Sequence, residues 1–441
     1  MIVPHLPVGN RCRFWPRSIL FLFAVAVGLR IGFVLFYPQY PFGRGDDRGY
    51  DEVGWNLATG RGFSAEFTGE TPRVPSRSPM DVPGSPEVRR GPVYPAFLAL
   101  IYLTFGHDLA AVRVIQALMS AAILLILYPR VQEAFGNEVA KLSGVLLAFY
   151  PAFISYSGVV LTETLFLFLL ALLVSALIRA VQSDSPWRWV LAGSLMGITI
   201  LLRQEALAMV PVFVALTLWQ FPQRGLIRKV SLFLLVTVLT VGVWTARNYL
   251  VFQEFILVTA LGGDDLWLST TAWTEYPHDD EEFQSLVQGL NYIDRNKLLR
   301  REGIRNILND PFYYLILCIK RLPRFWIGSH TEQLVGLSDT YKQYYMHGAF
   351  GKLFVKIMLL GANISLILIG VLGAFITLKG GKERLGLTLF FLVPIVVIAI
   401  VHFFLPATPR YNVPIMPFIL TFTAAALDRF DFMKRLPLLI R

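Results

Sequence analysis

The sequence predicts an all-α polytopic membrane protein of about ten transmembrane helices, with two large outer loops that contain interfacial helices. Three observations carry this expectation. The 441 residues are 55% hydrophobic and 14% aromatic but only 16% charged, where a soluble chain carries about a quarter charged residues. Mean hydropathy is +0.56. Apolar runs near the roughly 20 residues needed to cross a bilayer recur along the chain. This composition excludes disorder, collagen-like repeats and an ordinary cytosolic enzyme. The 40 Lys and Arg against 30 Asp and Glu give a formal charge of +10. In a membrane protein such an excess reports basic cytoplasmic loops and anionic headgroups, not nucleic acid. Cys12 and Cys318 lie far apart and support neither a disulfide framework nor a zinc site.

Spans are expected near 18–37, 109–129, 139–156, 161–180, 188–202, 205–220, 229–247, 352–378, 386–404 and 411–427. The first follows Arg11, Arg13 and Arg17 and so looks like a signal peptide. Its length, Arg30 within it and the lack of a small-residue cleavage site favour an uncleaved helix. The pair around 188–220 is interrupted by Arg203-Gln204-Glu205, which is tolerable at a membrane face. The chain divides into a transmembrane module over 1–247, with an outer loop at about 38–93; a second outer loop over 248–350; and C-terminal helices with a short tail over 351–441. No internal repeat supports an inverted-repeat transporter.

Orientation follows from basic residues in short loops. With both termini cytoplasmic, the inner loops hold Arg130; Arg179 and Arg188; Arg224, Arg228 and Lys229; Lys379, Lys382 and Arg384; and Arg429, Lys434, Arg435 and Arg441. Within the second outer loop, 281–305 is charged and helix-like, closed by Asn309-Asp310-Pro311. The 312–327 run that follows interleaves Lys320, Arg321 and Arg324 with apolar residues, the pattern of a helix lying in the interface.

The first outer loop opens Gly45-Asp46-Asp47-Arg48-Gly49-Tyr50, and a helix over 51–60 should end at Gly60-Arg61-Gly62. Asp46 and Asp47 are either ordinary solvated acids, or a general base with a partner that orients it or binds a cation. A Pro- and Ser-rich stretch, Pro72 to Pro86, precedes Arg89-Arg90-Gly91-Pro92-Val93-Tyr94-Pro95. The two arginines there suit either interfacial anchoring or phosphate binding. Arg113, Glu163, Arg203, Glu205, His402 and Arg410 all fall near the outer ends of their spans. Ionisable groups at membrane depth are costly and face a cavity or a partner, so a shared polar cavity is expected at the face carrying Asp46 and Asp47. Arg410-Tyr411, followed by Pro414 and Pro417, should aim a guanidinium into it. The guanidinium fork suits phosphate oxygens.

In order and sidedness these features resemble glycosyltransferase family 39 of the GT-C superfamily, which includes protein O-mannosyltransferases and the bacterial aminoarabinose transferase of lipid A. The matching elements are Asp46-Asp47-Arg48-Gly49-Tyr50, Arg90 to Pro95, Tyr150-Pro151, Thr162-Glu163, Leu202 to Glu205, and Arg410 to Pro417. The second acid is usually Glu in that family and is Asp47 here. The resemblance implies an inverting transfer of a sugar from a polyprenyl-phosphate donor to a hydroxyl of a glycan, lipid or protein acceptor. The site would face the periplasm or exterior of a bacterial inner membrane. It implies Asp46 as base, Asp47 as its support or, with Asp46, as ligand of a divalent cation, and Glu163 as an orienting acid. Arg203, Arg410 and Tyr411 would hold the phosphate, with Arg90 and Arg113 as weaker candidates. Tyr50, Tyr94, Glu205 and His402 would complete the site on its acceptor and loop side. No His/Cys cluster specifies a metal. A transporter or flippase of a lipid-linked or anionic substrate is the alternative, and a non-catalytic envelope scaffold a third reading.

Overall fold

The computed structural model describes residues 15–36, 46–65, 85–222, 225–272, 281–328, 330–379 and 382–430. Arg11, Cys12, Arg13, most of the Pro- and Ser-rich stretch, Arg224, Lys434, Arg435 and Arg441 lie outside the described residues. The helices in chain order are α1 (Arg17–Phe36), α2 (Asp46–Ala58), α3 (Val93–Phe105), α4 (Leu109–Phe135), α5 (Asn137–Phe149), α6 (Pro151–Tyr156), α7 (Thr162–Val181), α8 (Pro186–Leu202), α9 (Met209–Gln220), α10 (Leu226–Phe252), α11 (Gly262–Ser269), α12 (Glu281–Val287), α13 (Tyr292–Asn309), α14 (Pro311–Trp326), α15 (Thr331–Val335), α16 (Tyr341–Met346), α17 (Phe350–Leu378), α18 (Lys382–Phe404) and α19 (Met416–Arg429). Short 3-10 segments, Gln204–Ala208 and Pro409–Ile415, precede α9 and α19.

Six of these helices are long and apolar enough to cross a membrane: α1, α4, α7, α10, α17 and α18. The other four expected spans are shorter or broken. The 139–156 run divides into α5 and α6 at Tyr150-Pro151, because a residue before proline is pushed out of the helical region; Tyr150 sits at φ −63°, ψ 119°. The 188–202 run is α8, and the 205–220 and 411–427 runs each begin as a 3-10 turn. One boundary is corrected outright. Pro129 does not end α4, which continues to Phe135. Arg130, expected in an inner loop, is therefore buried in the helix, where it pairs with Glu133 at 2.6 Å.

The bundle is organised around α7, which is apolar and buried on nearly all sides against α4, α8 and α18. Such a helix has no solvated face to present. Arg30 resolves the break between α5 and α6. Its fully buried guanidinium donates to the Leu147 carbonyl at 2.9 Å and the Ala148 carbonyl at 3.1 Å, to Ala26 within its own helix at 3.0 Å, and to Ser120 at 2.9 Å. Carbonyls in the last turn of a helix have no intrahelical partner; here an arginine from α1 supplies one.

Two loop segments meet at one end of the bundle. In the first, α2 packs on α3, and the two-residue strands β1 (Ser64–Ala65) and β2 (Ser85–Pro86) pair antiparallel. Arg247 near the end of α10 pins this pair, donating to the carbonyls of Glu87 and Phe63, each at 3.3 Å, within a ring of Phe63, Trp244 and Phe252. In the second segment α11 packs on α13. Asp310 caps α14, accepting from the Tyr313 backbone at 2.8 Å. Exposed Phe312, Leu315, Ile316 and Ile319 run beside exposed Lys320 and Arg324 on α14, the expected interfacial pattern.

Replacing Arg30 with Leu is expected to cost about 1–3 kcal/mol for each buried carbonyl left without a donor. This should lower the thermal midpoint of the detergent-solubilised protein. An unchanged midpoint would show that the guanidinium does not hold the α5–α6 break.

Candidate functional site

Helix α2 separates the acidic pair. Successive residues of a helix project about 100° apart, and residues four apart share a face. Asp46 and Tyr50 therefore lie on one side, and Asp47 and Asp51 on the other. Asp51 is buried, accepts from the Tyr102 hydroxyl, and meets His107 Nε2 at 2.8 Å. Asp47 is buried facing Arg113 of α4. A cation shared by Asp46 and Asp47 does not fit this arrangement. Among the described residues no group of three or more His, Cys, Asp and Glu side chains is placed to hold a metal ion.

Asp46 instead meets Arg410 Nη2 at 2.7 Å, with about half of its side chain still exposed (51%). Burial acts to raise its carboxyl, but Arg410, with Arg90 and Arg203 behind it, holds it below the usual carboxylate range. Arg410 lies on the 3-10 turn before α19, and its Nε is 3.8 Å from Glu163 in the first turn of α7. Arg203, in extended backbone just after α8, reaches the same Glu163 oxygen at 3.7 Å and Glu205 at 3.6 Å. These separations are ion pairs, too long for hydrogen bonds. Arg203 Nη1, Glu163 Oε2 and Glu205 Oε1 are accordingly buried without a hydrogen-bond partner. The Glu163 side chain is only 2% exposed.

An aromatic stack fixes the other side. The Tyr411 ring lies on His402 at 4.6 Å and 15°, with Arg203 at 5.1 Å and Arg410 at 5.2 Å from its centroid. His402 Nδ1 is 3.0 Å from the Pro406 carbonyl and its Nε2 is 2.9 Å from Glu205. A carbonyl only accepts, so Nδ1 carries a hydrogen.

The first-loop arginines are already engaged. Buried Glu87, which the motif reading passed over, takes Arg90 at 2.9 Å and Arg89 at 3.2 Å. Burial opposes its ionisation, yet the two guanidiniums bring its carboxyl down to about 2. Arg90 lies over the Tyr50 ring at 5.5 Å. Two glycines permit this: a Cβ at Gly49 would overlap the Arg90 guanidinium, and one at Gly91 would overlap the Leu201 carbonyl at the end of α8. The close approach at Gly91 sets the Arg90 segment against the end of α8, just before Arg203. Burial and Asp46 push the Tyr50 hydroxyl up, so it stays protonated.

Two expectations are corrected. Tyr94 is fully buried; its hydroxyl donates to Gln116 at 2.8 Å and its ring packs edge-on to Tyr50 at 5.1 Å, so it braces the site and does not line it. Gln116 in turn donates to the Ser157 and Val159 carbonyls, fixing the turn that leads to Glu163. Arg113 interacts electrostatically with Asp47 and is not among the guanidiniums that hold Asp46 low. The motif reading also missed Asp265. It lies in Gly262-Gly263-Asp264-Asp265, an acidic pair as visible as the first, and is close enough to Asp46, Glu205, His402 and Tyr411 to interact with them electrostatically.

Residues 89–246 match the model of the dolichyl-phosphate-mannose-protein mannosyltransferase family. That stretch takes in Arg90, Arg113, Glu163, Arg203 and Glu205, and leaves Asp46, Asp265, His402 and Arg410 outside. No curated protein sequence matches the chain. Among solved structures, the apo oligosaccharyltransferase of Archaeoglobus fulgidus aligns with a TM-score of 0.55 at 14% identity, over 94% of this chain and 50% of that one. The archaeal oligosaccharyltransferase AglB from Archaeoglobus fulgidus, in complex with an inhibitory peptide and a dolichol-phosphate, gives 0.54 at 14% identity, over 95% and 51%. The chain thus spans about half the length of these archaeal proteins. ArnT from Cupriavidus metallidurans bound to undecaprenyl phosphate aligns at 14% identity over 94% of this chain and 76% of that one, with a TM-score of 0.42, too loose to carry an argument. The chain is therefore similar to the dolichyl-phosphate-mannose-protein mannosyltransferase family over residues 89–246, and it shares the fold of the archaeal oligosaccharyltransferase.

Proposed function

We propose that the protein is an inverting glycosyltransferase that moves a hexosyl or pentosyl group from a polyprenyl-phosphate donor to an acceptor hydroxyl. The reaction would take place on the periplasmic or extracellular face of a bacterial inner membrane. One observation carries this reading: Arg203 and Arg410 converge on buried Glu163 at 3.7 and 3.8 Å, beside Asp46, with hydrogen-bonding capacity left unmet. Fixed cations of this kind suit an anion that arrives from outside the protein. The family description names a dolichyl-phosphate sugar, and the archaeal relative in fold binds a dolichol-phosphate; both support a lipid phosphate as that anion.

In this mechanism the acceptor oxygen attacks the anomeric carbon from the face opposite the phosphate. The bond from that carbon to the phosphate oxygen breaks, and its electron pair leaves on the phosphate. The leaving group is already a good one, so it needs charge stabilisation more than protonation, and preplaced guanidiniums supply that. Asp46 and the donor phosphate compete for Arg410. As Arg410 turns to the phosphate, Asp46 is released to take the acceptor proton. Glu163 holds the two guanidiniums at a fixed spacing throughout. Arg90 and Tyr50 shape the wall behind Asp46.

In assays of purified protein with polyprenyl-phosphate sugars, Asp46→Asn is expected to abolish release of polyprenyl phosphate while expression and membrane insertion persist. Wild-type turnover by the folded variant would remove Asp46 from the mechanism, and movement of the lipid without cleavage would favour a flippase. Arg410→Gln is expected to slow transfer about 10²–10³-fold, the usual cost of losing one transition-state donor; an unchanged rate would separate this guanidinium from the phosphate. Single cysteines placed between residues 46 and 90 should react with membrane-impermeant reagents from outside the cell. Labelling only from the cytoplasm would overturn both the orientation and the donor assignment.

A further inference from the structure

We propose that α14 is a docking surface for anionic phospholipid, with headgroup phosphate seated between Lys320 and Arg324, and that this contact sets the position of the turn carrying Arg410. The lipid contact stands independently of the transferase reading above; its effect on transfer rests on that reading.

The helix presents three distinct sides, since each residue turns about 100° from the last. Tyr314, Leu317, Cys318, Arg321 and Phe325 share the side that faces the protein, with Leu317, Cys318 and Phe325 buried. Phe312, Leu315, Ile316, Ile319 and Leu322 share the opposite side, and all five are exposed. Tyr313, Lys320 and Arg324 run along one edge between the two and are also exposed. On a chain that spans a membrane, the exposed apolar side suits acyl chains, and the edge of tyrosine and cations suits headgroups. Lys320 and Arg324 are four residues apart, where like charges repel on a helix surface. Arg321 adds a third positive charge beside Arg324. Among the described residues neither Lys320 nor Arg324 has an ion-pair partner. A headgroup phosphate lying across the two removes the repulsion, and a net negative lipid such as phosphatidylglycerol is favoured over a zwitterionic one.

The inner side of the same helix is tied to the site. The Phe325 carbonyl accepts from Asn412 Nδ2 at 2.6 Å, and Asn412 lies two residues past Arg410 on the 3-10 turn. The Phe325 ring lies on His402 at 5.5 Å and 23°, and His402 in turn stacks on Tyr411. Tyr314 donates to the Phe404 carbonyl at the end of α18 at 2.6 Å. Arg321 donates to the Ser269 carbonyl of α11. The helix therefore touches both the turn that bears Arg410 and Tyr411 and the helix that bears His402. Arg410 is the guanidinium placed between Asp46 and Glu163. A shift of α14 reaches it through one hydrogen bond and one ring stack. Headgroups that hold Lys320 and Arg324 at the bilayer surface fix the helix, and with it the turn, at one depth.

The test uses the purified full-length protein in nanodiscs of phosphatidylcholine in which phosphatidylglycerol is raised stepwise. Native mass spectrometry reports the phosphatidylglycerol retained, undecaprenyl phosphate binding is measured alongside, and transfer from undecaprenyl-phosphate-linked sugars is followed at each composition. Wild type should retain phosphatidylglycerol over phosphatidylcholine, a preference that fades at high salt, and its transfer should rise with the phosphatidylglycerol fraction. Lys320→Gln and Arg324→Gln should each lower retention about fivefold. The double variant should transfer at one rate in every bilayer while binding undecaprenyl phosphate like wild type, and Lys320→Arg with Arg324→Lys should restore retention and response together. Asn412→Ala should retain phosphatidylglycerol like wild type and lose the response of transfer. Equal retention by wild type and the double variant, or an unaltered response in the double variant, would overturn the proposal. Loss of undecaprenyl phosphate binding in the double variant would overturn it too, by assigning the two cations to the donor. Disulfide-linked dimers of Ile316→Cys, absent from wild type, would give the apolar side to a second copy of the chain and equally overturn it. If wild type transfers nothing in any bilayer, the transferase reading fails, and retention alone decides the lipid contact.

Discussion

The arrangement depends on one buried carboxylate. Glu163 stands in the first turn of a helix that is apolar on every side, with its side chain 2% exposed. A charge in that position is tolerable only if opposite charges come to it. Arg203 and Arg410 do so from two other chain segments, and neither reaches hydrogen-bonding distance. The result is a pair of guanidiniums positioned by a protein anion that does not saturate them. Asp46 completes the pattern from the first loop, and the His402–Glu205 contact closes it from behind. Each participant sits at or beside a helix end, where the chain leaves regular structure and its backbone can aim a side chain across the bundle.

The rest of the structure holds those ends in register. Arg30 closes the break between α5 and α6, and the Tyr94–Gln116 pair fixes the turn leading into α7. Gly91 lets the segment after Arg90 press against the end of α8, just before Arg203. Arg247 ties the first loop to α10, while Arg295 and Arg321 steady the second. Several buried polar groups of the bundle thus serve geometry: they replace hydrogen bonds that water supplies at the surface of a soluble protein.

Much of this was legible in the sequence. Hydropathy located the apolar runs, and the clustering of Glu163, Arg203, His402 and Arg410 at one end followed from their positions at span termini. The unread parts share a cause: the patterns used were blind to direction around a helix and to tertiary partners. Asp46 and Asp47 are adjacent in the chain, but a helix turns them apart, so a motif that looks like a chelating pair is one site acid and one buried partner of Arg113. The span expected to close at residue 129 runs on through Pro129 to Phe135 in α4. Glu87 gave no signal because its role is to neutralise Arg89 and Arg90 locally. Asp265 did give one, as half of a second acidic pair, but nothing in the one-dimensional pattern brings residue 265 within electrostatic reach of residue 46.

The central claim is that Arg203 and Arg410 form a phosphate seat that Asp46 occupies in part until the donor arrives. A structure of the full chain with undecaprenyl phosphate bound tests it most directly. The account predicts the phosphate between the two guanidiniums, with Arg410 drawn away from Asp46 and Glu163 still between the arginines. A phosphate bound elsewhere, with the Asp46–Arg410 pair intact, would contradict it.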